Sequence, residues 1–137
     1  MKIHIVNKNQ NPISGYKKII VDQQKIDFQD VSDNECQFIM ANQLLNDFDH
    51  TNIGNCISSL LQKLRIGGTL VIGGVEMRMF SKSVINGLIT PENASNNILN
   101  CLSMTDATEV SNLIRNAGLS IVSTQINGIH YEITAKR

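Results

Sequence analysis

The sequence predicts an α/β fold in which a mostly parallel sheet is closed by an antiparallel C-terminal hairpin. Between Cys36 and Val75 a short apolar run, a helical segment and a second apolar run follow one another. This order is typical of a β-α-β unit, whose two strands are parallel. Near the C-terminus, alternating apolar residues follow Asn127-Gly128, a dipeptide favoured in two-residue hairpin turns. We expect one twisted sheet with helices on both faces.

The central unit has the clearest pattern of the chain. Its strands are predicted at Cys36 to Ala41 and at Leu70 to Ile72, with Gly73-Gly74 ending the second. The helix between them is predicted to end near Gly67, which can take a left-handed stop conformation. The apolar residues of that helix recur at helical spacing: Ile53, Ile57, Leu60, Leu61 and Leu64.

The N-terminal part predicts three further strands, at Lys2 to Val6, at Lys17 to Asp22 and, very short, at Ile26 to Phe28. The segment Asn7 to Tyr16 joins the first two and is rich in Asn, with Pro12 and a glycine. It reads as a loop with too few residues for a full crossover helix.

The C-terminal part predicts three helices and two strands. Val75 to Ser81 is left unassigned, and Ser83 to Ile89 has a short helical pattern. Thr90-Pro91 predicts the next helix start, because proline suits the first helical position. Asp106 with Glu109 forms a capping-box pattern before the last helix. The remaining assignments are an apolar helix face of Ala94, Ile98, Cys101 and Leu102, a stop at Gly118, a strand at Leu119 to Ile126, and a hairpin strand with Ile129, Tyr131, Ile133 and Ala135 facing the core.

Composition predicts one domain over residues 1–137 and excludes several classes of partner. The chain has 12 basic and 12 acidic residues in no like-charged block, few aromatic residues and no Trp, so no nucleic-acid partner is expected. No apolar run approaches the roughly 20 residues that span a bilayer, and no signal peptide is apparent. Three distant cysteines favour buried, reduced thiols over a disulfide or metal site. A cytoplasmic protein without a membrane partner is therefore expected.

The carboxyl ends of the predicted parallel strands form the candidate site, because α/β sheets bind ligands there. Polar or small residues follow those strands at Asn7 to Asn9, Asp22, Asp30, Ala41 to Gln43 and Gly73 to Glu76. The histidines His4, His50 and His130 are scattered and show no metal-ligand spacing.

The order of these parts resembles the compact class I S-adenosylmethionine-dependent methyltransferases, which have a Rossmann-like fold. The opening MKIHIVNKNQNPISGYKKIIVD is similar to that family's first strand, glycine-rich loop and second strand ending in Asp. DNECQFIMANQLLNDF resembles its fourth strand and the following helix. LLQKLRIGGTLVIGGVE resembles its signature before the fifth strand, and EVSNLIRNAGLSIVSTQINGIHYEITAKR its last helix and terminal hairpin.

The resemblance implies a binding site for S-adenosylmethionine. In the family, loop glycines face the methionine part of the cofactor, one acid accepts hydrogen bonds from the ribose hydroxyls, and a second acid meets the adenine amine. Residues after the fourth strand face the methyl group and the substrate. The matching positions here are Asn7 and Asn9 for the loop, Asp22 for the ribose, Asp30 for the adenine, and Met40, Ala41 and Asn42 after the fourth strand. Lys8, between the two asparagines, is either a neutraliser of a bound carboxylate or phosphate or an ordinary surface lysine.

Two departures from the family pattern bear on activity. The family's G-x-G is Asn7-Lys8-Asn9 in this chain, and each Asn adds a side chain where the backbone approaches the ligand closely. Asn tolerates positive φ better than other residues with a side chain, so the turn itself can survive. Asp47 stands where the family usually has His, which removes one contributor to an active site.

Two functions from different classes follow. The first is methyl transfer from S-adenosylmethionine to a small-molecule or glycan-type acceptor, for which the sequence assigns no catalytic residue. The second is a catalytically inactive module with the same fold, a pseudoenzyme that serves protein interaction or assembly with a protein partner or as a homo-oligomer. A third and less favoured hypothesis is that the Rossmann-like sheet binds another nucleotide. The sequence names neither the acceptor nor the oligomeric state.

Overall fold

The computed structural model describes residues 1–137 and contains a seven-stranded mixed sheet with four α-helices. The strand order across the sheet is β3-β2-β1-β4-β5-β7-β6. The strands are β1 (Lys2–Val6), β2 (Lys17–Asp22), β3 (Lys25–Ile26), β4 (Cys36–Ala41), β5 (Leu64–Val75), β6 (Ser120–Asn127) and β7 (His130–Lys136). The helices are α1 (Ile53–Lys63), α2 (Met77–Ile85), α3 (Pro91–Leu99) and α4 (Ala107–Asn116).

Four neighbouring strands, β2, β1, β4 and β5, are parallel, which confirms the parallel centre of the sheet. β6 and β7 form the predicted antiparallel pair, and β7 rather than β6 lies next to β5. β3 is also antiparallel to its neighbour β2. The chain therefore adds β2 and β3 on one side of β1, and then adds β4 and the later strands on the other side.

One face of the sheet is packed into the main core. Ile39, Ile72 and Ile133 have no exposed surface and belong to one cluster with the apolar sides of α1 and α4. Ile57 of α1 and Ile114 of α4 are buried in the same cluster. Each such side chain contributes about 1.5–3 kcal/mol through removal of its apolar surface from water.

The opposite face is covered differently over β1 and β4, and the prediction of helices on both faces is correct only in part. Residues 7–16 cross from the end of β1 to the start of β2 without forming a helix. We call this segment the strap. Its Ile13 N–H donates to His4 Nδ1 at 3.0 Å, and the Tyr16 ring meets the Phe38 ring edge-on with centroids 5.7 Å apart. Ten residues are too few for the crossover helix that usually joins parallel strands.

Several predicted element ends are wrong. β3 covers Lys25–Ile26 rather than Ile26 to Phe28, and β5 begins at Leu64 rather than Leu70. α1 ends at Lys63, and Leu64 is already extended, so Gly67 with its φ of +77° lies within β5 and stops no helix. β5 continues through Gly73 and Gly74 to Val75. The final hairpin turn is Gly128-Ile129, because Asn127 pairs with His130.

The helix predicted at Ser83 to Ile89 is displaced, because α2 begins at Met77. Glu76 caps α2 by accepting the Arg78 N–H, a signal that the sequence analysis did not use. The predicted face of α3 is also only partly right. Ala94 is buried, whereas Ile98 is 59% exposed.

The two predicted helix starts with polar caps are confirmed. Thr90 accepts the Asn93 N–H with Pro91 at the first helical position, and Asp106 accepts the Glu109 N–H. Gly118, just beyond α4, has the expected positive φ of +97°. The Glu109 carboxylate does not complete a capping box, because it contacts His50 Nε2 at 2.5 Å.

All three cysteines are free. Cys36 and Cys56 are buried as predicted, and burial raises the pKa of the Cys56 thiol to about 12. Cys101 is half-buried. None of the helices is both long enough and apolar enough to cross a membrane.

Candidate functional site

A cleft of about 300 Å3 opens where β1 and β4 end, at the position where the chain reverses its direction across the sheet. Ligands of open α/β sheets bind at this kind of switch point. We call this cavity the edge cleft. Its wall combines strand ends, the strap and the segment after β4: His4, Ile5, Val6, Asn7, Gln10, Asn11, Val21, Asn42, Gln43, Leu44 and Asp47.

The loop that replaces glycines lies at the mouth of the edge cleft. Asn7, Lys8 and Asn9 are all exposed, and neither asparagine has a positive φ. The Asn7 Oδ1 accepts the Asn9 N–H at 3.0 Å, and the Asn7 carbonyl accepts the Gln10 N–H at 3.1 Å. The turn is therefore held by the Asn7 side chain, which uses a backbone donor that glycines would leave free for a ligand.

A second cavity of about 220 Å3 adjoins the edge cleft, with Asn7, Val21 and Asp47 lining both. Asp22, at the end of β2, lines this second cavity. Its exposed carboxylate makes no hydrogen bond within the chain, so both oxygens are free to accept from vicinal hydroxyls.

Asp30 does not join the site. β2 and β3 form a hairpin through Gln23 and Gln24, both at positive φ, so the chain after β3 returns towards the end of the sheet where β2 begins. There the Asp30 carbonyl accepts from Lys17 Nζ at 3.4 Å, at the start of β2. The family pattern expects a strand parallel to β2 at this point, and the two-residue turn prevents it.

The residues after β4 are close to the cleft, and they differ in exposure. Ala41 is buried, Met40 is half-buried on the strap side of the sheet, and Asn42 lines the edge cleft. The Asn42 Nδ2 donates to Glu132 Oε1 of β7 at 3.3 Å. This bond orients the amide between the cleft and the middle of the sheet.

His4 is a cleft residue that the sequence analysis missed. Because the Ile13 N–H donates to Nδ1, the neutral ring carries its proton on Nε2. Burial lowers the pKa of His4, and a hydrogen bond that the ring donates to the Asn42 side chain opposes this shift, so the neutral ring is favoured at pH 7. Alternation along β1, with Ile3 and Ile5 buried in the core, is the signal that could have placed His4 on the other face.

Asp47 is a second cleft residue that was not predicted as part of the site. In the sequence it was named only as a departure from the family pattern. Its carboxyl lines both cavities, and burial raises its pKa above the ordinary Asp value. Its side chain has no hydrogen-bond partner within the chain. A partly desolvated carboxylate without a partner is suited to accept a proton or a hydrogen bond from a ligand.

Glycines let the chain close tightly behind the cleft. A Cβ at Gly73 would lie 2.1 Å from the Tyr131 carbonyl oxygen and 2.7 Å from that of Asn42. A Cβ at Gly74 would lie 2.8 Å from Asn46 Oδ1, which accepts the Val75 N–H at 3.0 Å. These glycines bring β5 against the segment after β4, and sequence spacing alone gives no sign of that contact.

Glu76 fixes the elements beyond β5. It is buried, and its two oxygens accept the N–H of Arg78 in α2 and of Ala107 in α4, each at 2.7 Å. One carboxylate thus caps two helices, where the positive end of each helix dipole favours it. The arrangement sets α2 at a defined angle past the end of β5.

No group of three His, Cys, Asp or Glu side chains is placed to hold a metal ion. The polar groups that are present would suit S-adenosylmethionine best at its ribose, where the free Asp22 carboxylate can accept hydrogen bonds from the hydroxyls. They suit it less well at the methionine end, where the Asn7 side chain fills part of the loop. Ligand sites in proteins usually have volumes of about 300–1,000 Å3. The two adjoining cavities, of about 300 and 220 Å3, together fall within this range.

By sequence, the chain matches no family model and no curated protein. By structure, it is similar to a SAM-dependent methyltransferase from Archaeoglobus fulgidus, with a TM-score of 0.61 and 12% identity over 91% of this chain and 69% of that chain. An O-methyltransferase family protein from Burkholderia thailandensis gives a TM-score of 0.61 at 17% identity, over 89% of this chain and 36% of that chain.

A third similar structure contains ligands. It is a methyltransferase from Burkholderia thailandensis with bound 1,6-didemethyltoxoflavin and S-adenosylhomocysteine, with a TM-score of 0.54 and 18% identity over 77% of this chain and 45% of that chain. This chain spans about a third to two thirds of the length of these proteins. Together they show that it has the fold of the class I S-adenosylmethionine-dependent methyltransferases.

Proposed function

We propose that the edge cleft and the adjoining cavity bind S-adenosylmethionine, and that the protein transfers the methyl group to a small-molecule acceptor. The observation that carries this proposal is the position of the cleft. It lies between the ends of β1 and β4, at the switch point of the sheet, and Asp22 stands free at the end of the next strand.

Within this proposal the chain's own residues have distinct tasks. Asp22 accepts hydrogen bonds from the ribose hydroxyls, and Asn42 and His4 form polar parts of the wall of the edge cleft. Asp47 takes the proton from an acceptor that needs to lose one. The cofactor supplies an activated sulfonium methyl group, so positioning is the main contribution asked of the protein. Lys8, exposed next to the cleft residue Asn7, would neutralise a carboxylate of the ligand.

Calorimetry with S-adenosylmethionine and S-adenosylhomocysteine tests the binding, with two aspartates as a matched pair. We expect micromolar affinity that Asp22→Asn weakens about 10- to 100-fold, because a hydrogen bond to a charged group is worth about 1.5–3 kcal/mol. Asp30→Asn should change the affinity less than about twofold, since Asp30 lies near the start of β2, at the opposite end of that strand from Asp22. Equal losses in both variants, or no heat with the unmodified protein, would contradict the proposal.

A second candidate is an inactive module that keeps the fold and has lost the cofactor, and that acts through a protein partner or as a homo-oligomer. The observation that favours it is the loop of Asn7 and Asn9, whose turn consumes the Asn9 N–H. If this candidate is correct, the natural, correctly folded protein does not bind the cofactor.

Restoring glycine separates the two candidates. The double variant Asn7→Gly and Asn9→Gly frees the Asn9 N–H and removes two side chains from the cleft mouth, so binding of S-adenosylhomocysteine should tighten several-fold. Asn86→Gly, at the end of α2, controls for the added chain flexibility and should have no effect. If the double variant of a non-binding protein stays inert in calorimetry, the inactive module is the better description.

A further inference from the structure

A separate cavity of about 330 Å3 lies beyond the end of β5, between α2 and the segment that follows α3. Its walls are formed mainly by apolar and sulfur-containing side chains: Met77, Phe80, Cys101, Leu102 and Met104. No lining residue carries a charge. We call this cavity the apolar pocket.

The apolar pocket adjoins the proposed cofactor site through one shared residue. Leu102 lines both the apolar pocket and the cavity that contains Asp22 and Asp47. The Leu102 N–H donates to the Asn46 carbonyl at 2.9 Å, which fixes this wall against the segment after β4. The charge of Asp47 also acts on the Cys101 thiol and, after burial, is a cause of its raised pKa. The two sites are therefore neighbours.

The polar atoms of the apolar pocket define what it can accept. Burial and Asp47 keep the Cys101 thiol neutral, so it offers no charge to a ligand. The Ser103 hydroxyl already donates to the Phe48 carbonyl at 2.7 Å, and its lone pairs remain free to accept an O–H or N–H. Phe80 and the two methionines favour an aromatic ring, since thioether sulfurs make favourable contacts with ring edges.

We propose that the apolar pocket binds the acceptor, and that the acceptor is a neutral, apolar, aromatic-sized small molecule with one O–H or N–H group. The role of this molecule as the methyl acceptor rests on the proposed function. Its binding in the apolar pocket does not. A charged or sugar-like acceptor would leave its polar groups without partners against these walls, at a cost of about 1–3 kcal/mol for each group.

Cys101 supplies a readout that is independent of the cofactor. It is the only cysteine that is not buried, so iodoacetamide should modify it selectively, and intact-protein mass spectrometry gives the rate. With 1-naphthol as the probe, we expect the rate to fall at least fivefold, with half of the effect below 1 mM as an order of magnitude. S-adenosylhomocysteine should lower that concentration if both sites are occupied together.

Paired variants locate the effect. Ser81→Trp, at an exposed lining position of α2, should fill the apolar pocket and abolish protection by 1-naphthol. Ser81→Phe is a smaller substitution for the same test. Ser95→Trp, on the exposed side of α3 and outside the pocket, should leave protection unchanged.

The outcomes separate this inference from the proposed function. No protection by 1-naphthol, or protection that both Ser81 variants retain, overturns the inference. Protection without any heat from S-adenosylmethionine overturns the methyltransferase proposal and leaves an apolar binding site. Protection that Asp22→Asn retains, while cofactor binding is lost, supports two neighbouring sites.

Discussion

Asp47 is the residue whose surroundings make the clearest statement about pH. Burial raises its pKa, so the folded protein disfavours its charged form. The contribution of Asp47 to the free energy of unfolding is therefore present at low pH and is lost as the pH rises from about 3.8 through the raised value. Asp47→Asn should make the protein more stable at pH 7, by less than about 1 kcal/mol because the side chain is only half-buried.

Urea unfolding at pH 4 and pH 7 measures this effect. Asp30→Asn, in an exposed loop, is the matched control and should stay within about 0.5 kcal/mol of the unmodified protein at both values. An Asp47→Asn variant that is less stable than the unmodified protein at pH 7 would indicate that the carboxylate has a partner in solution.

The two acids carried over from the family show how far single residues can be predicted from sequence. Asp22 ends a strongly apolar strand, and its position followed correctly from that pattern. Asp30 was placed by counting residues after a weak strand, and a turn at Gln23 and Gln24 reversed the chain before it. A positive φ at two successive glutamines has no signal in composition, because such residues seldom adopt it.

At the scale of elements, the prediction concerns β5 and its two central glycines. Gly73→Ala places a methyl group 2.1 Å from the Tyr131 carbonyl oxygen, so β5 and β7 must separate. We expect a loss of about 3 kcal/mol or more in the free energy of unfolding, together with weaker ligand binding in the edge cleft.

Gly54→Ala is the control for this change. Its Cβ would meet nothing within 4 Å, and Gly54 lies in the first turn of α1 with an ordinary φ. Its stability should rise by about 0.5 kcal/mol. Thermal unfolding by circular dichroism compares the two, and a Gly73→Ala protein as stable as Gly54→Ala would contradict the close packing described for β5.

The elements with strong periodicity were predicted well, and those fixed by tertiary contacts were not. β1, β2 and β4 begin and end at the predicted residues, α1 follows from its apolar spacing, and α4 follows from its apolar spacing and its Asp106 cap. Gly73 and Gly74 were predicted to end a strand. The structure requires glycine there because of close contacts with Asn42, Asn46 and Tyr131, which are distant in sequence and so gave no local signal. α2 was misplaced for a related reason, since its start depends on a buried carboxylate that also caps α4.

At the scale of the whole molecule, the two faces of the sheet differ in how firmly they are covered. α1 and α4 close one face with a continuous core, whereas none of the ten residues of the strap is buried. Few of the strap's amides donate to the rest of the chain. Segments of this kind open at low free energy while the sheet remains intact.

Hydrogen exchange followed by mass spectrometry tests this difference. Peptides that cover residues 7–16 should exchange within seconds to minutes, far faster than those from β4. S-adenosylhomocysteine should slow the strap at least tenfold, because Asn7, Gln10 and Asn11 belong to the wall of the edge cleft. Equal protection of the strap and β4 in the free protein would contradict the model of a loosely held cover.

The strap is also a segment in which length can change at a small cost to the fold, because none of its residues is buried. Doubling a flexible connection costs only about 0.6 kcal/mol in closure entropy. Insertions or deletions there would reshape the mouth of the cleft while the parallel strands beneath keep their register. A library of strap lengths is therefore a direct route to altered ligand selectivity in this scaffold.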